Sequence, residues 1–168
     1  MALRSADPPS RPDAAALQLI RHQPGAPALR LGLGAGWQPV GAIGQLQALL
    51  NDHSFWASGR STRDLRRMLR HSQAAVSAWD RRRLVGFGRA SSDGVYRAAL
   101  WDVVVAEAYQ GQGLGRRLVT LLLEAPLLRG VERTYLMTTN SAGFYSQLGF
   151  EEMLSQKLLL RQQPHKAD

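Results

Sequence analysis

Apolar residues at Val40, Ile43, Leu46, Leu49 and Leu50 recur every three or four positions, the spacing of one helical face. A second helix is predicted after a Ser61 or Thr62 cap, burying Leu65, Met68 and Leu69. Ahead of both, Leu29-Arg30-Leu31-Gly32-Leu33 alternates and reads as a first strand. The middle of the chain switches to strand patterning. Ala75 to Trp79 is a strand, Asp80 to Arg83 a polar turn, and Leu84 to Phe87 the return. Ser91-Ser92-Asp93-Gly94 is a second turn, with an Asp-Gly hairpin signal, leading into a long strand from Tyr96 to Val105. Past a glycine-rich segment, Leu114, Leu118, Leu121 and Leu122 form a helical face that ends at Pro126. Arg133 to Met137 reads as a strand. Asn140 or Ser141 caps a short helix through Leu148 that stops at Gly149, and Lys157 to Leu160 gives a last strand. The pattern predicts a mixed α/β domain, of α+β type, with a largely antiparallel sheet.

At 168 residues there is room for one full core. Pro8, Pro9, Pro12, Pro24 and Pro27 crowd the start, so residues 1–28 read as a mostly disordered extension, 29–162 as the domain and 163–168 as a tail. The apolar run Ala14 to Ile20 is too short for a signal-peptide core, and Asp7 and Asp13 argue against a transit peptide. No apolar run nears the roughly 20 residues of a membrane span, so the expectation is a soluble, cytoplasmic protein, monomer or homodimer, without a membrane partner. The net charge is +8, and the only lysines are Lys157 and Lys166. The arginines fall in separate places and come without an RGG tract or zinc knuckle. They read as general surface charge that would also suit a phosphate-bearing ligand, and no nucleic acid is expected. The absence of cysteine excludes disulfides, thiolate metal sites and a cysteine nucleophile, and no metal is expected.

Chemistry concentrates in Trp101-Asp102-Val103-Val104-Val105 and the segment that follows, Gln110-Gly111-Gln112-Gly113-Leu114-Gly115-Arg116. A strand runs into three glycines at alternate positions and then directly into a helix. A loop without Cβ atoms brings several backbone N–H groups to one anion. The helix start adds unpaired N–H groups and about half a positive charge. This is a phosphate site in outline. A P-loop is excluded because no lysine stands here. A dinucleotide fingerprint fails because the spacing is G-x-G-x-G and hairpins precede it. The bland alternative is a tight strand-to-helix turn with no ligand, which would not require three glycines.

Gln110 to Gly115 resembles the Q/R-x-x-G-x-G/A signature of the GCN5-related N-acetyltransferase (GNAT) family. Asn140 to Phe150 is similar to that family's N-x-x-x-x-F-Y-x-x-x-G-F block. Leu84 to Gly94, followed by Trp101 to Val105, resembles the plastid and cyanobacterial branch, which includes plant-type serotonin N-acetyltransferases. The chain departs from that branch at Thr138-Thr139-Asn140, where an acidic residue is usual. The resemblance implies a GNAT-like sheet of about six to seven strands flanked by about four helices. It also implies acetyl-CoA as cosubstrate and direct attack of a primary amine, on a protein lysine or a small arylalkylamine, on the acetyl thioester. Val103, Val104 and Val105 would then pair with the pantetheine arm, and Gln110, Gly111, Gln112, Gly113, Leu114, Gly115 and Arg116 would hold the diphosphate. Three valines are equally what a buried strand requires. Asn140 either caps a helix or hydrogen-bonds the pantetheine.

Tyr145 matches the family's tyrosine, the general acid for the leaving thiolate; packing on the core is its other reading. Asp102, an acid in an apolar strand, is the general-base candidate, unless it forms a salt bridge to Arg89 or Arg97. Glu107 is a weaker alternative, and a water chain could replace any base. The acceptor side falls to the N-terminal helices and His53-Ser54-Phe55-Trp56, whose aromatics suit an arylalkylamine or a lysine stem, or else belong to the core. The arginines from Arg60 to Arg70 read as a solvated helix face or as a match for an acidic protein surface. A different class of function is a non-catalytic acyl-CoA-binding sensor or interaction module.

Overall fold

The computed structural model describes residues 16–22 and 41–163, which divide into two compact units between Met137 and Thr138. In the first unit the elements run β1 (Gln18–His22), α1 (Ala42–His53), α2 (Thr62–Arg70), β2 (Ala74–Asp80), β3 (Arg83–Ser92), β4 (Arg97–Val105), a 3-10 turn (Glu107–Tyr109), α3 (Leu114–Leu123) and β5 (Arg133–Tyr135). The second unit carries α4 (Ala142–Ser146). The five strands lie in one sheet in chain order, antiparallel throughout except for the parallel β4–β5 pair. This is the mixed α/β, mostly antiparallel sheet with four helices that the pattern predicts, with fewer strands among the described residues than the expected six to seven.

The extension of residues 1–28 is corrected in part, because Gln18–His22 forms the edge strand β1 on β2. The prolines stop at Pro12 and resume at Pro24, leaving a proline-free window in which Leu17 and His22 are buried. His22 Nε2 lies 2.7 Å from Ser77 Oγ, which also accepts from Trp79 Nε1 at 2.8 Å. Lys157–Leu160 is not a strand: residues 151–163 hold neither helix nor strand and are exposed. Its three consecutive leucines lack both the alternation and the β-branching that fit a pleated surface. The predicted strand Leu29–Leu33 lies outside the described residues.

Trp79, Phe87, Leu46, Leu50, Leu65, Leu114, Leu118 and Leu122 are among the fully buried side chains of the first unit. On β3, a Cβ added at Gly86 would stand 3.0 Å from Leu118 Cδ1, and one at Gly88 3.0 Å from Leu122 Cδ1. Bare backbone there lets α3 sit close on the sheet, which fixes where its N-terminus opens. By the pleat, Val85, Phe87 and Arg89 face the other way. Ser61 caps α2 by accepting the Asp64 N–H at 3.1 Å, as the sequence predicts. No helix of the described residues is long and apolar enough to cross a membrane.

Candidate active site

β4 and β5 pair over only three positions, from Arg97↔Arg133 to Ala99↔Tyr135. β4 then continues to Val105 with no strand partner on that side among the described strands. Its backbone groups from Leu100 onward therefore line an open edge able to take an extended partner. On the opposite side, the register against β3 shifts between Phe87 and Arg89, so Gly88 faces two residues of β4, Asp102 and Val103. This is a β-bulge, which bends and re-aims a strand. Asp102 takes φ +53° within it, a left-handed conformation that aspartate tolerates better than most residues.

The Asp102 side chain is buried and doubly held. Arg89 Nε donates to Oδ2 at 2.7 Å, and Arg60 Nη1 donates to the same oxygen at 2.9 Å. The salt-bridge alternative is thus realised with Arg89, whereas Arg97 pairs with Glu132 at 3.3 Å on the surface. Arg60 is a partner that the sequence reading missed. It lies in the α1–α2 loop, 42 positions away, and no local signal links the two. Gln47 Nε2 donates to the Arg60 carbonyl at 2.9 Å, and the Gly59 N–H to Asn51 Oδ1 at 2.9 Å, so α1 fixes the loop. Phe55 and Trp56 in this loop are exposed, ring centroids 5.1 Å apart and edge to face; they are not core. His53 is the last residue of α1, and Glu107 opens the 3-10 turn exposed to solvent.

That turn leads into the glycine loop. Tyr109 is buried, and its hydroxyl donates to Asp80 Oδ2 at 2.7 Å, tying the turn to the end of β2. Burial pushes the Tyr109 phenol up, and the Asp80 carboxylate adds to the shift. Gln110 Nε2 donates back to the Val105 carbonyl at 2.9 Å, and Gln112 Nε2 to the Ala108 carbonyl at 3.2 Å. Both glutamine side chains close the loop on itself and leave recognition to the backbone. Gly111 and Gly113 sit at φ +73° and +78°, and an added Cβ on either would meet nothing within 4 Å. Left-handed backbone, not crowding by the protein, calls for glycine here, and the space in front is open. Gly113 caps α3, and the first helical bond is Arg117 N–H to the Gly113 carbonyl at 3.1 Å. The Leu114 and Gly115 N–H groups come before that bond and sit at the positive end of the helix. Arg116 is the next residue. Left-handed glycines, open space and a helix start make the loop chemically suited to an anion such as a diphosphate.

The second unit holds Asn140 and Tyr145. Asn140 does not cap α4: the cap position is Ser141, without a side-chain cap bond, and Ser141 Oγ donates to Asn140 Oδ1 at 3.2 Å. Tyr145 stands half-buried between Phe144 and Phe150, with ring centroids 4.9 and 5.9 Å away, both edge to face. Burial pushes its phenol up, so it keeps its proton to higher pH than a free tyrosine. The first unit thus brings together Asp102, Val103, Val104, Val105 and the segment Gln110–Arg116, while the second carries Asn140 and Tyr145.

Residues 43–150 match the family model described as Acetyltransferase (GNAT) family. The chain belongs to the GNAT family. A histone acetyltransferase, TAP1, of Glycine max is 41% identical over 73 residues, which are 43% of this chain and 32% of that protein. Serotonin N-acetyltransferase 2, chloroplastic, of Oryza sativa subsp. japonica is 40% identical over 99 residues, 54% of this chain and 48% of that protein. These GNAT relatives include chloroplast proteins, in agreement with the branch that the motifs resemble. The match spans a third to a half of these relatives' length. Among solved structures, a GNAT protein of Xanthomonas campestris pv. campestris is similar with a TM-score of 0.67 and 26% identity, covering 88% of this chain and 94% of that one.

Proposed function

We propose that the chain is an acetyl-CoA-dependent N-acetyltransferase that passes acetyl directly to a primary amine. The supporting observation is the glycine loop, open in front of Gly111 and Gly113, set at the start of α3 and just past the strand whose edge beyond Ala99 has no strand partner among the described residues. When bound, acetyl-CoA supplies an acetyl group activated as a thioester. The backbone from Gln110 to Arg116 holds its diphosphate, and the backbone of Val103, Val104 and Val105 pairs with the pantetheine arm as an added strand. Asn140 offers its amide to the same arm. Tyr145, kept protonated by burial, is the residue that gives a proton to the departing sulfur. Asp102 acts as an anchor: its Oδ2 accepts from both Arg60 and Arg89, which pins the bulge of β4 between them. The acceptor amine then loses its proton to water. With no cysteine in the chain, the commonest acyl-carrying nucleophile is missing, in keeping with direct transfer.

The named relatives span both acceptor classes, a histone in one and serotonin in the other. The test is thiol release from acetyl-CoA with a panel of free amines and lysine peptides, alongside calorimetric titration with coenzyme A. Heat together with thiol release supports the enzyme. Heat without release points instead to an acyl-CoA-binding module. No heat removes both.

A further inference from the structure

The outer face of α2 carries a charge pattern that acetyl-donor binding does not use. Leu65 and Leu69 turn inward, while Arg63, Arg66, Arg67 and Arg70 are exposed. Their spacing of three, four and seven places all four on one stripe. The helix has a single acid, Asp64, and that carboxylate accepts from the cap Ser61 at 2.9 Å. Arg67 and Arg70 form no ion pair among the described residues. The helix dipole favours cations in the last turn, where Arg67 and Arg70 stand. Like charges at these spacings weaken a helix. Arg67 and Arg70 thus offer an anionic partner two exposed guanidiniums that no acid of the described residues pairs with.

Its position gives it a role. The stripe begins three residues beyond Arg60, whose guanidinium rests on Asp102 at the β4 bulge. Ahead of Arg60 in the same loop, Phe55 and Trp56 expose 77% and 51% of their surface. At 1.5 Å per residue, Arg63 to Arg70 spans about 10 Å, the reach of roughly three residues of extended chain. A small free amine is a cation at neutral pH and is repelled by this face, whereas an acidic segment carrying a lysine is attracted to it. We propose that the arginine stripe of α2, with Phe55 and Trp56, docks an acidic polypeptide segment that presents the acceptor lysine. This rests on the acetyl-transfer reading and selects the protein class of acceptor within it. An edge-to-face aromatic pair offers an apolar wall for peptide side chains and not two parallel platforms for stacked bases, so polypeptide is preferred over nucleic acid.

The experiment uses the full chain and labelled peptides with one central lysine flanked by glutamates, by glutamines or by arginines. Binding is read by fluorescence anisotropy, and acetylation by thiol release. The glutamate peptide is expected to bind about tenfold tighter than the glutamine peptide, the advantage fading at high salt. Arg67→Glu with Arg70→Glu removes that preference, and Arg67→Gln with Arg70→Gln reduces it. Both variants still melt cooperatively and keep their coenzyme A affinity, because donor binding does not use this face. Equal binding of the glutamate and glutamine peptides overturns the proposal, as does a preference that survives the charge reversal. Stripe-dependent binding of a single-stranded RNA without any peptide preference overturns it in favour of nucleic acid. Glutamate preference with no thiol release from any amine supports the docking surface and overturns the transfer reading. Thiol release without glutamate preference does the reverse.

Discussion

The glycine loop and the Asp102 anchor are joined by the end of β4 and one 3-10 turn and are built in opposite ways. The loop recognises with backbone: its glutamine side chains fold back onto Val105 and Ala108, and its glycines leave open space. The anchor is all side chain, one carboxylate between guanidiniums drawn from β3 and from the α1–α2 loop. A backbone site depends on conformation at a few consecutive positions. A side-chain cluster depends on the fold bringing remote positions together. The two should therefore fail differently: the loop by losing ligand, the anchor by losing structure.

Gly113→Val is the harshest test of the loop. At φ +78° a β-branched residue is strained by roughly 1–2 kcal/mol, and its branches enter the space left for the ligand. Losing two or three charge-assisted bonds to a phosphate, at about 1.5–3 kcal/mol each, weakens binding by roughly 10²–10⁶-fold. Calorimetry with coenzyme A is expected to show no heat in a variant that still melts cooperatively. Heat comparable to the parent would mean that the diphosphate lies elsewhere.

Tyr145→Phe comes next and leaves both regions intact. A general acid contributes about 10²–10⁴-fold, so kcat should fall toward that range with coenzyme A affinity nearly unchanged. The pH profile gives the sign. Burial raises the phenol above its ordinary 10.0, so it is protonated throughout the neutral range and any alkaline fall due to it lies above that value. Unchanged turnover in Tyr145→Phe removes the residue from the mechanism.

What was legible in the sequence follows the same division. Alternating glycines, the Asp-Gly turn and the Ser61 cap are read from neighbours, and each is found where its local chemistry puts it. Strand β1 was hidden because prolines on either side outweighed its short apolar window. The leucines at 158–160 misled because apolar composition was read as a strand without the alternation a sheet requires. Asp102 stood out in its apolar strand, but Arg60 carries no mark among neighbouring arginines that would link it to that carboxylate.

Asp102→Asn tests the anchor directly. A broken buried ion pair costs roughly 3–5 kcal/mol; the Arg60 side chain is 32% exposed, so water screens part of this and about 2–3 kcal/mol is expected. Thermal or urea unfolding measures it, with turnover per folded molecule largely kept. A base would show the reverse, near-parental stability with a kcat loss of about 10²-fold or more.

Tyr109→Phe gives the smallest effect and tests whether the two modes of construction meet. The Tyr109 hydroxyl bond to Asp80 is a side-chain contact, yet what it holds is the turn that delivers the backbone loop. Removing it costs about 1.5 kcal/mol, the low end of the range for a bond to a charged group, because Asp80 is partly exposed. If the bond positions the loop, part of that cost appears as a several-fold rise in KM for acetyl-CoA with kcat unchanged. If it serves stability alone, melting temperature falls and KM does not move. pH separates the two further. The folded-state phenol lies above its unfolded value, so the bond stabilises fully at neutral pH and its contribution is lost only as pH climbs through that raised value. Parent and Tyr109→Phe should therefore differ most below pH 10 and converge above it, in stability and, if the loop is positioned this way, in donor KM.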